Sequence, residues 1–425
     1  MIKKIYLENF KSFEKAEIQV ENLTTLIGTN ASGKSNAIEG LKILSELVTG
    51  RELSVILDGS KNMESMIRGG SQGCCRFRSS HFILGCLFQY DMDTDLKYIV
   101  DINVSDRIMI QAESLYKVSE NDNQMLFETR KGKGEKEEEG DIKVSWNNGT
   151  RGKKPVALCF RSSSVISQIV AKLPQEQENG RIIAKYCSDV IAHLKNILFL
   201  NPEPNVMRGY SRINDTQLKV NASNLSAVLN RICMDTEKKN ILLRVMRHLP
   251  ENEISDISFA EGPLNDVILF IQEKYGNKSE RIDATRLSDG TLRCLAITAA
   301  LLSEEEKGMI VIEEVDNGIH PGRTEAIIRS ISELARERNL DVMVTTHNAT
   351  MLNALSKENL EGVDVFYRDV DSGASECIPL IYIERMAELL ANGRLGDVVT
   401  SGKILDYIKL PIKGKCDYSW LEEEE

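Results

Sequence analysis

One short stretch constrains the fold of this 425-residue chain more than any other part of it. Gly28, four intervening residues and then Gly33-Lys34-Ser35 match the pattern G-x-x-x-x-G-K-[ST] of a phosphate-binding loop. An apolar run ending at Leu26-Ile27 precedes the loop, and apolar residues recur at helical spacing after it. Phosphate binding needs this order of strand, loop and helix, because the loop N–H groups and the helix N-terminus then face the anion.

The chemistry expected of this loop belongs to its backbone and to two side chains. Lys34 would neutralise the β- and γ-phosphate oxygens of a nucleotide, and the Ser35 hydroxyl would bind Mg²⁺. Glycines allow the backbone N–H groups to turn inward around the β-phosphate. The predicted nucleotide-binding residues are Gly28, Asn30, Ala31, Ser32, Gly33, Lys34, Ser35 and Asn36.

Composition excludes several other classes of protein. A net charge of −11 provides no global basic field for nucleic acid, so any such binding must use a local patch. Nine cysteines without a C-x-x-C pair predict reduced thiols, and they favour neither a disulfide framework nor a zinc site. No segment approaches 18 consecutive apolar residues, and the N-terminus lacks a signal-peptide core. We therefore expect a cytoplasmic protein that makes no membrane contact.

The second half of the chain contains three further candidate site segments. Gly308–Glu314 is an apolar run ending in two acids, which predicts a buried parallel strand with Glu313 and Glu314 at its ligand-binding end. Residues 342–347 predict a second such strand ending in His347. Ser288 or Asp289 precedes an apolar-periodic run, which is the pattern of a helix N-cap.

The chain opening and the order of these segments resemble a known group of ATPases. Residues 4–13 include Asn9-Phe10-Lys11-Ser12-Phe13, and residues 287–290 read L-S-D-G, similar to the L-S-G-G signature motif. Together they resemble the ABC-class P-loop heads of the RecF, SMC and OLD-like ATPases, in the variety without a Toprim nuclease module. The resemblance implies an α/β head with a mixed sheet, antiparallel flanking strands and a helical insertion, which hydrolyses ATP with Mg²⁺.

The same resemblance implies a role for each candidate residue in a head-to-tail homodimer or higher homo-oligomer, in which a pair of copies forms two composite ATP sites. Ser288, Asp289 and Gly290 would address the ATP held by the second copy, and Asp316 would lie in a loop at the dimer contact. The implied catalytic and metal-site residues are Lys34, Glu314 as the group that polarises water, His347 as the γ-phosphate switch, and Ser35 with Glu313 on Mg²⁺. Glu313 stands where the group usually has Asp.

The predicted organisation has three parts. Residues 1–155 form an N-terminal lobe of the head with the phosphate loop, and strands at 82–90, 98–104 and 107–117 flank its sheet. Residues 156–255 form a helical insertion, and residues 256–425 form the C-terminal lobe.

Several residue assignments stay open at this point. For Phe10 or Phe13 the alternatives are a place near the adenine and a core or turn role, and the core or turn role is favoured. Gln72 and Gln89 are both candidates for sensing the γ-phosphate. The motif Asp369-Val-Asp371 resembles the D-x-D of Toprim nucleases, but a hairpin turn is the favoured interpretation.

Three functional hypotheses follow from the resemblance. The first is a sensor or regulatory ATPase similar to the PtuA-type and PARIS-type anti-phage defence ATPases, gating a separate effector such as a nuclease or toxin. The alternative is a RecF-like repair ATPase with DNA as its partner. The ATPase subunit of an ABC transporter is disfavoured by the Asn9-Phe10 opening and by the large insertion.

Overall fold

The computed structural model describes most of the chain and divides it into two compact units. The described residues are 1–60, 65, 67–77, 79–119, 122–129, 140–249, 253–303, 308–383, 386, 394–400 and 403–408. The first unit contains Met1–Val20, Thr29–Ile197 and Phe366–Ile378. The second contains Glu21–Gly28, Leu198–Val365 and the residues from Pro379 onward.

An eight-stranded antiparallel sheet forms the first unit. Its strands are β1 (Ile2–Glu8), β2 (Lys15–Gln19), β4 (His81–Gln89), β5 (Asp95–Asn103), β6 (Met109–Ser119), β7 (Asp122–Thr129), β8 (Asp141–Trp146) and β9 (Val156–Phe160). They are arranged in the order β2-β1-β4-β5-β6-β7-β8-β9. Burial alternates strictly along β5, which gives the sheet one core-facing side. The three predicted flanking strands are confirmed as β4, β5 and β6.

Four helices accompany this sheet: α1 (Lys34–Leu47), α2 (Leu53–Asp58), α3 (Val165–Ile169) and α4 (Glu178–Lys195). Helix α1 begins directly after the phosphate loop and contacts β1 and β4. Its buried residues include Ala37, Ile38, Leu41, Leu44 and Leu47, which are the apolar positions expected at helical spacing. Core packing therefore anchors the helix whose N-terminus carries Lys34.

A six-stranded sheet includes the strands that correspond to the apolar runs of the sequence. Its members are β3 (Leu23–Gly28), β10 (Ile197–Leu200), β15 (Met309–Ile312), β16 (Asp341–Thr345), β17 (Val363–Arg368) and β18 (Ser375–Pro379), in the order β10-β15-β16-β3-β17-β18. Strands β15, β16 and β3 are parallel neighbours. Every residue of β15 and β16 is buried, as the apolar runs predicted. The predicted strand over Gly308–Glu314 is too long, because both acids lie in the turn that follows Ile312.

The second unit contains a smaller sheet and a largely helical core. The strands are β11 (Ser211–Arg212), β12 (Glu253–Glu261), β13 (Asp266–Tyr275) and β14 (Lys278–Asp283). The helices are α5 (Pro204–Met207), α6 (Leu225–Met234), α7 (Thr236–Arg247), α8 (Asp289–Ser303), α9 (Pro321–Glu337), α10 (Ala349–Asn353), α11 (Leu395–Thr400) and α12 (Lys403–Ile408). Helix α8 lies at the centre, since 12 of its 15 residues are buried. A helix that is apolar on all sides requires such surroundings.

The predicted division into 1–155, 156–255 and 256–425 stays a prediction. Residues 156–255 contain helices α3–α7, as expected for a helical insertion, together with the short strands β9, β10 and β11. Within this range, the boundary between the two compact units lies after Ile197.

The motif Asp369-Val-Asp371 forms the turn between β17 and β18. The Asp369 carboxylate accepts hydrogen bonds from the N–H and the hydroxyl of Ser372, both at 2.7 Å. The Asp369 N–H donates to the Ala374 carbonyl at 2.8 Å, which closes the turn. The first acid of the motif is therefore used locally, in agreement with the hairpin interpretation.

The eight described cysteines are thiols outside disulfides, and five of them are buried. Burial raises the pKa of the Cys74 and Cys294 thiols to about 12, so both stay protonated and unreactive at neutral pH. The remaining cysteine, Cys416, lies outside the described residues. Among the helices that the structure describes, none is both long and apolar enough to cross a bilayer.

Candidate nucleotide-binding site

The phosphate loop leaves β3 at Gly28 and enters α1 at Lys34. Gly33 has φ = +114°, a backbone conformation that L side chains rarely adopt. A Cβ on Gly33 would lie 2.6 Å from Ser375 Oγ and 3.0 Å from Phe13 Cζ. Glycine is therefore required here both for its conformation and for the close approach of the neighbouring side chains.

The side chains of this loop suit an anion. Lys34 Nζ donates to the Thr29 carbonyl at 3.1 Å, so the lysine curls back over its own loop. The buried Ser32 hydroxyl has no hydrogen-bond partner among the described residues. The first turn of α1 contains no acidic residue that would offset the positive end of the helix dipole. Lys34, Ser35 and the loop backbone thus form a fitting donor set for a nucleotide phosphate with Mg²⁺.

Two neighbouring segments of the first unit support this loop. Ser12 Oγ accepts a hydrogen bond from Asn36 Nδ2 at 2.8 Å and another from Ser375 Oγ at 2.7 Å. Arg76 donates to the Ser12 carbonyl at 3.1 Å and to the Ser372 carbonyl at 2.9 Å. The turn after β1 and the hairpin after β17 are thereby tied to the start of α1.

The two aromatic residues near the N-terminus belong to the core. Phe10 and Phe13 are both 0% exposed. Their rings pack against Phe82 and Phe366, respectively. The favoured core interpretation is therefore confirmed, and neither ring offers a free face to adenine.

One edge of the six-stranded sheet gathers the remaining candidate residues. Because β3, β15 and β16 are parallel neighbours, their carboxyl ends lie at the same edge. Gly28 ends β3, Glu313 and Glu314 follow β15, and His347 follows β16. Glu314 and His347 are exposed, and Glu313 is half-buried. The arrangement presents two carboxylates and an imidazole to solvent at the point where the phosphate loop begins.

Two threonines that the sequence did not single out fix the turn after β15. Thr345 Oγ1 accepts the Glu314 N–H at 2.8 Å, and the Thr345 carbonyl accepts the Val315 N–H at 3.2 Å. The Thr346 hydroxyl donates to Asp316 Oδ1 at 2.7 Å. Glu314 itself adopts φ = +48°, an uncommon conformation for a residue other than glycine. The turn from Glu314 to Asp316 is thus held from the end of the neighbouring strand.

The L-S-D-G segment caps helix α8. Ser288 Oγ accepts the Thr291 N–H at 3.2 Å and lies 2.8 Å from Thr291 Oγ1. Ser288 and Asp289 are exposed, whereas Gly290 is buried. A Cβ on Gly290 would lie 3.1 Å from the Gly318 carbonyl, so this helix end packs closely against the turn that contains Asp316. The segment is therefore a helix cap with two residues exposed to solvent.

Two arginines that lie far away in sequence contact this helix end. Arg208 follows α5 and pairs with Asp289 while it also donates to the Leu287 carbonyl. Arg323, which is 6% exposed, donates to Thr291 Oγ1 at 3.1 Å. The sequence contained no spacing pattern that could have joined either arginine to the signature segment.

The family of the chain is decided by a match that spans most of it. The AAA ATPase domain family matches residues 1–352. The chain belongs to this family. The predicted α/β fold and the recognition of an ABC-class P-loop ATPase of the RecF/SMC-like group are confirmed. The role of each site residue in this AAA ATPase stays a prediction.

A curated relative and several solved structures resemble parts of this AAA ATPase. The DNA replication and repair protein RecF of Synechocystis is 37% identical over 65 residues, which are 14% of this chain and 17% of RecF. The SMC head domain of Thermotoga maritima is 14% identical with a TM-score of 0.42, covering 89% of this chain and 98% of that one. The SMC head bound to the C-winged helix domain of ScpA is also 14% identical, with a TM-score of 0.45 and coverage of 89% and 97%.

Gln72 and Gln89 are both exposed, Gln72 in a 3₁₀ turn and Gln89 at the end of β4. Which of them senses a γ-phosphate remains a prediction.

Within the described part of this AAA ATPase, no group of three or more His, Cys, Asp or Glu residues could hold a metal ion. The Ser35 hydroxyl and phosphate oxygens are ligands of the kind that Mg²⁺ prefers.

We expect Thr345→Val to slow ATP hydrolysis by roughly three- to tenfold, because one hydrogen bond that positions Glu314 is lost. ATP affinity should stay within about twofold of wild type, since the hydrogen bond that is lost holds the acid turn. The measurement is steady-state phosphate release together with equilibrium ATP binding.

Thr25→Val is the matched control for this substitution. Thr25 lies on the adjacent strand β3, and its buried hydroxyl has no hydrogen-bond partner among the described residues. Its replacement should leave hydrolysis unchanged and leave stability equal or higher. Equal hydrolysis rates in the two variants would contradict the positioning role of Thr345.

Proposed function

We propose that this AAA ATPase binds ATP with Mg²⁺ at the phosphate loop, and that ATP clamps two copies of the chain head to tail. The observation that carries the proposal is the pairing of two features in one polypeptide. The edge of the parallel strands presents Gly28, the acid pair and His347, while Ser288 is exposed at the N-terminus of a different element, α8. A capped helix end that faces solvent suits the γ-phosphate of a nucleotide held by another copy.

Each group has a defined task in this proposal. The loop N–H groups and Lys34 bind the β- and γ-phosphates, and Ser35 with Glu313, through water, holds the metal ion. When bound, Mg²⁺ neutralises charge on the phosphate oxygens. Glu314 accepts a hydrogen bond from the attacking water and orients it, and His347 donates a hydrogen bond to the γ-phosphate. The rate gain comes mostly from positioning and charge stabilisation, without a covalent intermediate.

In this proposal, ATP hydrolysis releases the two copies from each other, and Glu313 modifies the rate of hydrolysis. Glutamate is one methylene longer than the Asp usual in the group, so its carboxylate reaches about one bond further. A contact made through water tolerates this shift. Glu313 is half-buried directly after β15, which fixes its backbone while the side chain keeps access to the sheet edge.

For the biological role we propose a sensor or regulatory subunit of an anti-phage defence system, in which the ATP-clamped dimer holds or releases a separate effector. The support is the resemblance to PtuA-type and PARIS-type ATPases. The alternative is a RecF-like repair ATPase, which is favoured by the 65-residue match to RecF, a DNA replication and repair protein. The net charge of −11 weighs against broad contact with DNA.

Phosphate release measured with and without gapped duplex DNA separates the two roles. The regulatory proposal predicts DNA-independent hydrolysis that changes little between about 50 and 200 mM salt. A RecF-like enzyme would show DNA-stimulated hydrolysis and DNA binding that falls by orders of magnitude over that range. Co-purification of a nuclease or toxin from the native host would then support the effector arm, and co-purification of a repair complex would contradict it.

A further inference from the structure

The second residue of the signature segment raises an electrostatic problem. Asp289 stands in L-S-D-G where the group has glycine, directly beside Ser288. A carboxylate in the first turn stabilises α8 through the helix dipole. The same carboxylate would repel a triphosphate approaching Ser288, since two like charges a few ångströms apart oppose each other even near water.

Arg208 pairs directly with this carboxylate. One end of its guanidinium pairs with Asp289 Oδ1, and the other nitrogen donates to the Leu287 carbonyl and, at 3.3 Å, to the Thr285 carbonyl. These acceptors lie on both sides of Ser288 in sequence. A planar guanidinium can hold several acceptors in fixed directions, which an ammonium group cannot do as well. The arginine therefore balances the charge of Asp289 and also fixes the backbone that carries Ser288.

The chain around Arg208 is itself well anchored. Helix α5 starts at a buried proline, Pro204, and ends at Met207, which is 1% exposed. The loop before it is held by a hydrogen bond from the Asn201 N–H to the Val220 carbonyl at 2.8 Å. Helix α5 also contacts α8. Arg208 thus follows a short helix that is already packed in place. Holding the arginine costs rotamer entropy of its side chain but little further backbone entropy.

We propose that Arg208 is a positioning residue that neutralises Asp289 and holds the 285–289 segment, so that Ser288 can approach the γ-phosphate of ATP bound by a second copy. This inference rests on the proposed ATP-clamped dimer. It gives the segment around α5 a task within the composite site. The pair also explains why an acid is tolerated in the signature segment, since the Asp289 carboxylate requires the Arg208 guanidinium to balance its charge.

A double-mutant cycle tests the pairing. The full chain is prepared with Arg208→Ala, Asp289→Gly, both changes together, and Arg208→Lys. Arg208→Ala should weaken ATP-dependent dimerisation and slow hydrolysis roughly tenfold, because an unpaired carboxylate then faces the nucleotide. The affinity of the single chain for ATP should be unchanged, since the nucleotide is bound by the phosphate loop. Adding Asp289→Gly to Arg208→Ala should restore most of both activities.

The controls separate this inference from loss of fold and from failure of the dimer proposal. Arg336→Ala breaks an exposed ion pair with Glu358 at the C-terminal end of α9, and it should change nothing. If Arg208→Ala does not fold, Arg208→Lys still decides. It keeps the positive charge but cannot hold the Thr285, Leu287 and Asp289 acceptors together, so it should dimerise with ATP less well than wild type. Wild-type dimerisation of Arg208→Lys would then overturn the inference. Wild-type behaviour of Arg208→Ala, or no rescue by Asp289→Gly, would overturn the inference. Undiminished dimerisation of Ser288→Arg would instead contradict the proposed composite site.

Discussion

Replacing Glu314 with glutamine is expected to preserve ATP binding while it lowers hydrolysis by about 10²–10⁴-fold. Glutamine matches glutamate in size, so the turn after β15 should keep its shape. The Glu314 N–H would still donate to Thr345 Oγ1, because that contact uses the backbone. The amide is a much weaker acceptor for the proton of the attacking water, so only the rate of the chemical step should fall.

The measurement is single-turnover phosphate release, paired with equilibrium ATP binding on the same protein. Glu325→Gln is the matched control, because Glu325 is exposed on α9 and pairs with Arg329 at 2.6 Å. It should hydrolyse ATP at the wild-type rate. Wild-type turnover in Glu314→Gln would contradict the catalytic role of the acid. A parallel loss of binding would indicate that Glu314 supports the nucleotide site and not the chemical step.

Lys34→Ala is expected to weaken ATP binding by roughly 10- to 100-fold, since charge-assisted hydrogen bonds to the β- and γ-phosphates are lost. Lys34 begins α1, and its Nζ contacts the Thr29 carbonyl of its own loop, so truncation leaves the helix core untouched. Thermal stability should therefore change little. Hydrolysis should fall below detection at ATP concentrations that saturate the wild type.

Lys42→Ala provides the control on the same helix, two turns further along α1. Binding of ATP and of ADP is compared for both variants by equilibrium titration. Lys34 contacts the γ-phosphate in this account, so its loss should reduce ATP affinity more than ADP affinity. Equal affinities in Lys34→Ala and Lys42→Ala would show that the loop does not bind the nucleotide through this lysine.

The sequence could predict those parts of the site that are encoded locally. The phosphate loop, the strand before it and the helix after it occupy adjacent positions in the chain. Apolar runs identified the central residues of β15 and β16, because strands buried on both faces carry few polar residues. The acids and His347 could then be placed at a sheet edge by the general rule for parallel strands.

Contacts between distant segments could not be predicted in this way. Thr345 and Glu314 are separated by 31 positions, and Arg208 and Asp289 by 81. The Thr345 hydroxyl resembles any other threonine in a strand until β16 pairs beside β15. The positive φ of Glu314 likewise arises from the turn that its neighbours impose. The residue types in that turn do not predict it. Tertiary contacts determine these features.

The most direct test of the account is the molecular mass of Glu314→Gln in solution, measured with and without ATP and Mg²⁺. We predict a single chain without nucleotide and a stable pair of chains with ATP, because the clamp forms and cannot be released. Adding Ser288→Arg to the same chain should return it to a single copy while ATP remains bound. A single-chain mass for Glu314→Gln at saturating ATP, or a pair that survives Ser288→Arg, would contradict the composite site.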